Sequence, residues 1–420
     1  MTLPVVRGDA PTSPVVRRRG PTPAPRNAAI IRVLVVDDSA VIRRIISDVL
    51  NEDPEIEVVG TAANGRMGLE KVKKLQPDLI ILDVEMPVMD GLAMLTALRL
   101  AERRLTDRKV PVVMFSSLTE GASAKTIEAL ARGASDYVTK PAGHGNLANA
   151  LASVKAELIP KVKALCPRTR LRPPSSSSAG VRPGLAPGVA RAPLASRPGS
   201  ISGSASISGS AMNAAGSGDG ARSRPATGPI DIVAIGVSTG GPAALGQIVP
   251  RLRGLTVPVV IVQHMPPMFT KLLAEQLSNA SGLMVLEGAA GMVLEPGKIY
   301  IAPGDYHMTV KREGTQTKLE LNQGPQENSC RPAVDPLFRS VASVFANRCL
   351  AVVLTGMGSD GEKGAAALRD AGAHIIAQDQ ATSVVWGMPG AVALAGLADQ
   401  ILALGEIGNA ITSKVTRRGK

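Results

Sequence analysis

Arg32-Val33-Leu34-Val35-Val36-Asp37-Asp38 is an apolar, β-branched run that ends abruptly in two carboxylates. The same form recurs downstream. Leu79-Ile80-Ile81-Leu82 ends in Asp83, Val112-Val113-Met114-Phe115 ends in Ser116, and Tyr137-Val138-Thr139 ends in Lys140. Runs of this kind, fully apolar rather than alternating, read as buried strands of a parallel sheet. Their chemistry-bearing ends line up at its carboxyl edge, where open α/β sheets bind ligands. Between them lie amphipathic helical patterns, as at Val41, Ile42, Ile45, Ile46 and Val49. Strands at 32–36, 56–60, 79–82, 112–115 and 136–138 alternating with helices predict a doubly wound parallel-sheet domain over 30–164.

A second alternation starts at Asp231 and runs to about residue 414. Its strands fall at 231–236, 257–262, 283–286, 299–301, 350–354 and 374–377, with helices at 242–251 and 361–371 and a hairpin at 308–321. The fold class is therefore α/β, with two doubly wound parallel-sheet domains. Residues 1–29 are an N-terminal extension and 165–229 a linker of Pro, Ser, Gly, Ala and Arg. Both have too little apolar bulk to offset the entropy of ordering and read as disordered. Residues 415–420 form a basic tail.

Charge and composition exclude several functions. The net charge is +12, but residues 1–29 and 165–229 carry +4 and +7 of it, so the folded segments are nearly neutral. No Arg/Lys stripe alternates with aromatic residues, of which the chain has only 2%, so a nucleic-acid groove is not expected. The basic tails have weak contact with acidic surfaces or lipid head groups open to them. Three widely spaced cysteines make neither a disulfide framework nor a zinc site. No apolar run reaches the roughly 20 residues that span a bilayer, and no apolar stretch follows Arg17-Arg18-Arg19 as a secretory signal requires. The expectation is a cytoplasmic protein.

Carboxylates clustered at one sheet edge repel unless a cation balances them. Asp37, Asp38 and Asp83 suit one Mg²⁺, which favours a few carboxylates plus waters. Lys140 adds a point positive charge, and Ser116 a hydroxyl that can contact a phosphoryl oxygen. In the second domain, Gly236-Val237-Ser238-Thr239-Gly240-Gly241-Pro242 is a tight strand-to-helix turn with Pro242 in the first helical turn. It fits a nucleophile elbow displaying Ser238. A phosphate-cradling loop is the rival reading, but neither the G-x-G-x-x-G spacing nor a P-loop lysine is present. Of the histidines, His264 ends the strand 257–262 at the same edge as Ser238. His307 at the hairpin is a second candidate base, whereas His374 begins a strand and reads as structural. Asp360, after the strand 350–354, is an acid able to orient an imidazole. Ser, His and Asp at three strand ends are what acyl transfer requires. Their order differs from that of the α/β-hydrolases, which disfavours that fold.

Val35-Val36-Asp37-Asp38-Ser39, Leu82-Asp83-Val84-Glu85-Met86-Pro87-Val88-Met89-Asp90-Gly91, Ser116-Ser117 and Tyr137-Val138-Thr139-Lys140-Pro141 closely resemble a response-regulator receiver. That resemblance implies a flavodoxin-like fold and phosphorylation of Asp83 by a histidine kinase. It implies Mg²⁺ held by Asp37, Asp38, Asp83 and the carbonyl of Glu85, phosphoryl contacts from Ser116 and Lys140, a rotating switch at Tyr137, and a cis Lys140-Pro141 bond. The second domain resembles the chemotaxis protein-glutamate methylesterase family. The matching stretches are Ile235 to Pro242, Val262-Gln263-His264-Met265, Ile299 to Gly304, Arg331-Pro332-Ala333-Val334-Asp335, Leu354 to Gly361 and Gly387-Met388-Pro389.

The resemblance implies a Rossmann-like serine esterase that hydrolyses glutamyl methyl esters on methyl-accepting chemoreceptors and deamidates certain receptor glutamines. Ser238 would be the nucleophile, His264 the general base and Asp360 its orienter, with no cofactor. Amides of Thr239 and Met357 would form the oxyanion hole, and Met265 and Arg331 would shape the substrate cleft. The unphosphorylated receiver would cover the crevice of a monomer. The competing expectation is a phosphorylation-controlled receptor-binding protein whose esterase-like domain is inactive. A receiver fused to a nucleotide-dependent enzyme is disfavoured by the missing glycine-loop motifs.

Overall fold

The computed structural model describes residues 30–105, 109–140, 147–166 and 229–416. The extension, the linker and Pro141, hence the expected disorder and cis bond, lie outside the described residues.

The first unit runs β1 (Ile31–Val36), α1 (Ala40–Asn51), β2 (Ile56–Ala62), α2 (Gly65–Leu75), β3 (Leu79–Asp83), α3 (Gly91–Leu105), β4 (Val112–Ser116), α4 (Glu120–Ala131), β5 (Asp136–Thr139) and α5 (Leu147–Leu165). Its sheet is parallel, in the order β2-β1-β3-β4-β5. β3 and β4 are buried at every residue, as their unbroken apolar runs require. Helices begin at polar caps. Ser39 accepts from the Ile42 amide, Asn64 from Met67 and Thr119 from Ala122, each satisfying an orphan first-turn donor.

The second unit contains β6 (Ile232–Val237), α6 (Gly241–Ile248), β7 (Val259–Gln263), α7 (Phe269–Ser281), β8 (Val285–Glu287), β9 (Ile299–Ile301), β10 (His307–Glu313), β11 (Gln316–Asn322), α8 (Val334–Phe345), β12 (Cys349–Val353), α9 (Glu362–Asp370), β13 (His374–Gln378), α10 (Met388–Leu394), β14 (Gln400–Leu402) and α11 (Leu404–Thr416). Seven strands pair in the order β14-β13-β12-β6-β7-β9-β8, all parallel. β10 and β11 form the expected hairpin, displaced by a residue at each end. β14 escapes the sequence reading because it is short and lacks an apolar run. The predicted helix 242–251 divides into α6 and a 3₁₀ turn, Val249–Leu252, because Pro250 cannot donate an intrahelical hydrogen bond.

From β6 the chain turns one way to β7 and later returns on the other side to β12. The crevice beyond β6 is therefore a topological switch point, the usual ligand site of an open sheet. Receiver helix α4 packs against α6 and α7, so the two units share one apolar cluster that includes Tyr137, Leu130, Leu245 and Phe269. Among the described residues no helix is long and apolar enough to cross a membrane.

Candidate active site and its switch

Ser238 follows β6 on the sharp turn predicted for it, half-buried, with its amide bonded to the Thr355 carbonyl at 3.0 Å. Gly240 has φ +79°, a left-handed backbone that glycine adopts without steric cost. Gly356 allows the loop after β12 to lie against the serine: a Cβ there would stand 2.7 Å from Ser238 Cβ. Gln263 Nε2 donates to the carbonyls of Ser238 and His264 at 3.0 and 3.3 Å. The Thr355 hydroxyl donates to the Thr239 carbonyl at 2.8 Å. The turn is thus held from both neighbouring strands.

His264 follows β7, and its amide donates to the Val237 carbonyl at 3.2 Å. Its Nε2 meets Asp360 Oδ2 at 2.7 Å, while Nδ1 faces Cys330 Sγ at 3.5 Å. Asp360 is 1% exposed and fully solvated by protein. Oδ2 also accepts from the Val334 amide at 2.6 Å, and Oδ1 from the amides of Asp335 and Gly361 and from Asn328 Nδ2 at 2.9–3.1 Å. These donors include the amino end of α8, whose dipole favours an anion. Burial would raise the Asp360 pKa, but His264 and the backbone amides outweigh it and the carboxyl is held below its ordinary range. Burial likewise disfavours the His264 imidazolium, yet Asp360 and Cys330 overcome that and lift its pKa to about 9.

The amides of Thr239 and Met357 have no hydrogen-bond partner among the described residues. Met265 is 4% exposed and packs in the shared core rather than facing an open cleft. Arg331 makes four hydrogen bonds. Nε and Nη2 bind Asp305 at 3.0 and 2.5 Å, and Nη1 binds the carbonyls of Gln323 and Gly324. It ties loops together. His307 spends Nε2 on the Pro325 carbonyl and Nδ1 on the Ala333 amide, so it has no nitrogen free for Ser238. His374 is 3% exposed and bonded to Gln400 and Asp399, a structural role as expected.

In the receiver, Asp37, Asp38 and Asp83 bring carboxylate oxygens within 4.8 Å of one another. Lys140 Nζ bridges Asp37 at 2.9 Å and Asp83 at 2.8 Å. Burial, opposed by Lys140, leaves the Asp83 pKa raised. Burial would lower that of Lys140, but the two carboxylates outweigh it and the net shift is upward. Ser116 is fully buried at the end of β4. The Glu85 side chain points to Lys125, at 2.7 Å.

Sequence reasoning expected the receiver to cover the crevice but named none of the contacts that join the units. Tyr137 stacks on Phe269 of α7, ring centroids 4.7 Å apart. Beside it, Asp136 Oδ2 accepts from the hydroxyl of Thr239, the residue after Ser238, at 2.7 Å. Lys161 of α5 backs this contact with bonds to Asp136, Glu157 and the Tyr137 carbonyl. Asn328, Asp335 and Cys330 were also missed. Only the Arg331 to Asp335 stretch, flagged as a motif, pointed to that loop.

Comparisons with known proteins identify the family. Residues 233–411 match the family model described as CheB methylesterase, and 33–152 match the response regulator receiver domain. A protein-glutamate methylesterase/protein-glutamine glutaminase of Nocardioides sp. is 46% identical, covering 92% of this chain and 96% of its own. One of Maricaulis maris is 47% identical over 92% and 96% of the two chains, and one of Trichodesmium erythraeum 43% over 91% and 99%. By sequence along nearly its whole length, the chain belongs to the family of protein-glutamate methylesterase/protein-glutamine glutaminases that join a receiver to a CheB methylesterase domain.

Proposed function

We propose that the protein is a phosphorylation-activated protein-glutamate methylesterase, with protein-glutamine glutaminase activity, acting on methyl-accepting chemoreceptors in the cytoplasm. The observation that carries this reading is the placing of Ser238, His264 and Asp360 at the ends of three neighbouring strands, with His264 already paired to Asp360 at 2.7 Å.

Ser238 Oγ attacks the carbonyl carbon of a glutamyl methyl ester. Asp360 occupies Nε2 of His264, so Nδ1 takes the serine proton. The tetrahedral oxyanion lies toward the amides of Thr239 and Met357. His264 then returns the proton to the departing methoxide, releasing methanol, and a water activated by the same nitrogen hydrolyses the acyl-enzyme. With a glutamine substrate the leaving group is ammonia. Asp360 stays ionised throughout, and Met265 and Arg331 support the cleft wall through packing and loop anchorage.

Control resides in the receiver. Asp83 accepts the phosphoryl group from a histidine kinase, with Lys140 and Ser116 placed to contact its oxygens. The donor set of Asp37, Asp38, Asp83 and the Glu85 carbonyl suits Mg²⁺, which when bound supplies positive charge to balance the carboxylates and phosphoryl oxygens. The docked receiver holds Thr239 through Asp136 and Phe269 through Tyr137. Drawing Lys140 and Ser116 toward a phosphoryl group disturbs β4 and β5, which frees Tyr137 and loosens that seam.

The test is methanol release from a methylated receptor fragment by the full-length chain, with and without a small-molecule phosphodonor, beside Ser238→Ala. Release that rises with phosphodonor and vanishes in the variant is expected. No release from the folded wild type in either condition overturns the esterase reading and favours a catalytically silent receptor-binding protein.

A further inference from the structure

We infer that Cys330 is a positioning residue of the esterase, its thiol seated on the one ring nitrogen of His264 that Asp360 leaves free. The inference rests on the esterase reading and adds to it a residue that acts through the base. His264 Nε2 is committed to Asp360 at 2.7 Å, and Cys330 Sγ stands 3.5 Å from Nδ1. Among the described residues no hydrogen bond joins Ser238 to the imidazole. The thiol thus holds the place that the serine hydroxyl must take.

The loop that delivers Cys330 is fixed at both ends. Asn328 and Ser329 carry successive positive φ angles of 51° and 61°, a left-handed turn uncommon for such residues. Asn328 Nδ2 is bonded to both Asp360 at 2.9 Å and Asp335 at 3.0 Å. Glu327 and Cys330 exchange backbone hydrogen bonds at 2.9 and 3.2 Å, and Arg331 is anchored to Asp305. The carboxylate that orients the ring and the thiol on its far nitrogen therefore belong to one braced unit. Cys349 lies fully buried in β12 and Cys166 at the end of α5, both outside this unit.

The consequence is competition. The thiol fixes the ring for Asp360 in the resting enzyme, and the loop must yield Nδ1 to Ser238 for acylation. A permanent group on sulfur should block that exchange. Methyl methanethiosulfonate supplies one: the Cys330 thiolate attacks the reagent's sulfenyl sulfur, an S–S bond forms, and methanesulfinate leaves. Excess dithiol reverses the step.

The experiment uses full-length protein with phosphodonor, comparing wild type, Cys330→Ala and Cys330→Ser for methanol release from pH 6 to pH 10. Each is measured before and after methyl methanethiosulfonate, with rates taken relative to its own untreated sample. The expected result is a kcat–pH profile whose acidic limb moves by half a unit or more in Cys330→Ala, partly restored in Cys330→Ser, with KM little changed. Wild type should lose at least tenfold in rate on thiol capping, recover with dithiol and carry the label on the Cys330 peptide, whereas Cys330→Ala resists. Superimposable pH profiles in soluble, folded variants overturn the inference, as does full activity in wild type labelled at Cys330. The esterase reading fails separately, through absence of methanol release from untreated wild type.

Discussion

Asp136→Asn isolates the polar half of the seam between receiver and esterase. Asp136 and Thr239 are 7% and 5% exposed, so their 2.7 Å bond is sheltered from water in the docked form. A hydrogen bond to an ionised group contributes about 1.5–3 kcal/mol, and one between neutral groups about 1 kcal/mol. Asparagine keeps the shape and an acceptor oxygen, so the substitution should weaken docking by about 1 kcal/mol, or about fivefold in the open fraction. Lys161 retains Glu157 at 2.8 Å and the Tyr137 carbonyl at 2.6 Å, which keeps its buried ammonium paired. Methanol release without phosphodonor should therefore rise about fivefold. The fully phosphodonor-stimulated rate should stay near wild type, because Asp136 no longer touches Thr239 once the units part. An unchanged basal rate would refute the reasoning, as would an equal rise in both rates, since the second outcome would place Asp136 in the chemistry rather than in the docking.

The other expectations follow from single contacts. His264 must be neutral to accept the serine proton, and its pKa is lifted to about 9, so kcat/KM should climb with pH to about 9 and then level; a plateau already at pH 7 contradicts this. The same shift has a stability sign. The folded pKa lies above the unfolded one, so the contribution is complete below about 6.5 and is lost as pH rises through about 9. Melting midpoints between pH 6 and pH 10 should show this loss, and Asp360→Asn should flatten it. Asn328→Ala removes donors to Asp360 and Asp335 and should cost about 2 kcal/mol of stability and about tenfold in kcat, with KM nearly constant as the diagnostic. Asp83→Asn should abolish phosphodonor stimulation while leaving basal methanol release in place. Deleting residues 170–225 should lower basal turnover severalfold, because each halving of a tether strengthens docking by about 0.6 kcal/mol; an unaltered basal rate would argue that the linker does not act as a simple tether.

The sheets and the strand-end residues were legible because both rest on local rules. A buried parallel strand must be an unbroken β-branched run, and its functional side chain must follow within a residue or two. Asp37, Asp83, Ser116, Ser238 and His264 obey that spacing, whereas Asp360 lies seven residues past the end of β12 on a glycine-rich loop. β14 did not, because Gln400-Ile401-Leu402 has one edge neighbour and half-exposed side chains, so no apolar run was required of it. His307 illustrates a different limit. The sequence offers it at the hairpin as a second candidate base, and only tertiary bonds to Pro325 and Ala333 remove it. Arg331 is similar: its residue type suggests substrate charge, but Asp305 and two carbonyls take four of its five N–H donors.

What no local rule reveals is a contact between residues more than 60 positions apart that belong to no shared element. Asp136 with Thr239, Tyr137 with Phe269 and Cys330 with His264 are all of that kind. Asp136 in particular reads in sequence as an unremarkable strand start beside the switch tyrosine. Yet one strand carries both contacts between the units: Tyr137 stacks on Phe269, and its neighbour accepts from the hydroxyl of the residue after Ser238. Tyr137 and Asp136 are adjacent in β5 and both meet the esterase unit, so a displacement of the β5 backbone moves both contacts together. In the proposed function that strand links phosphorylation to catalysis, and a substitution that stiffens or slackens β5 should alter the stimulation ratio.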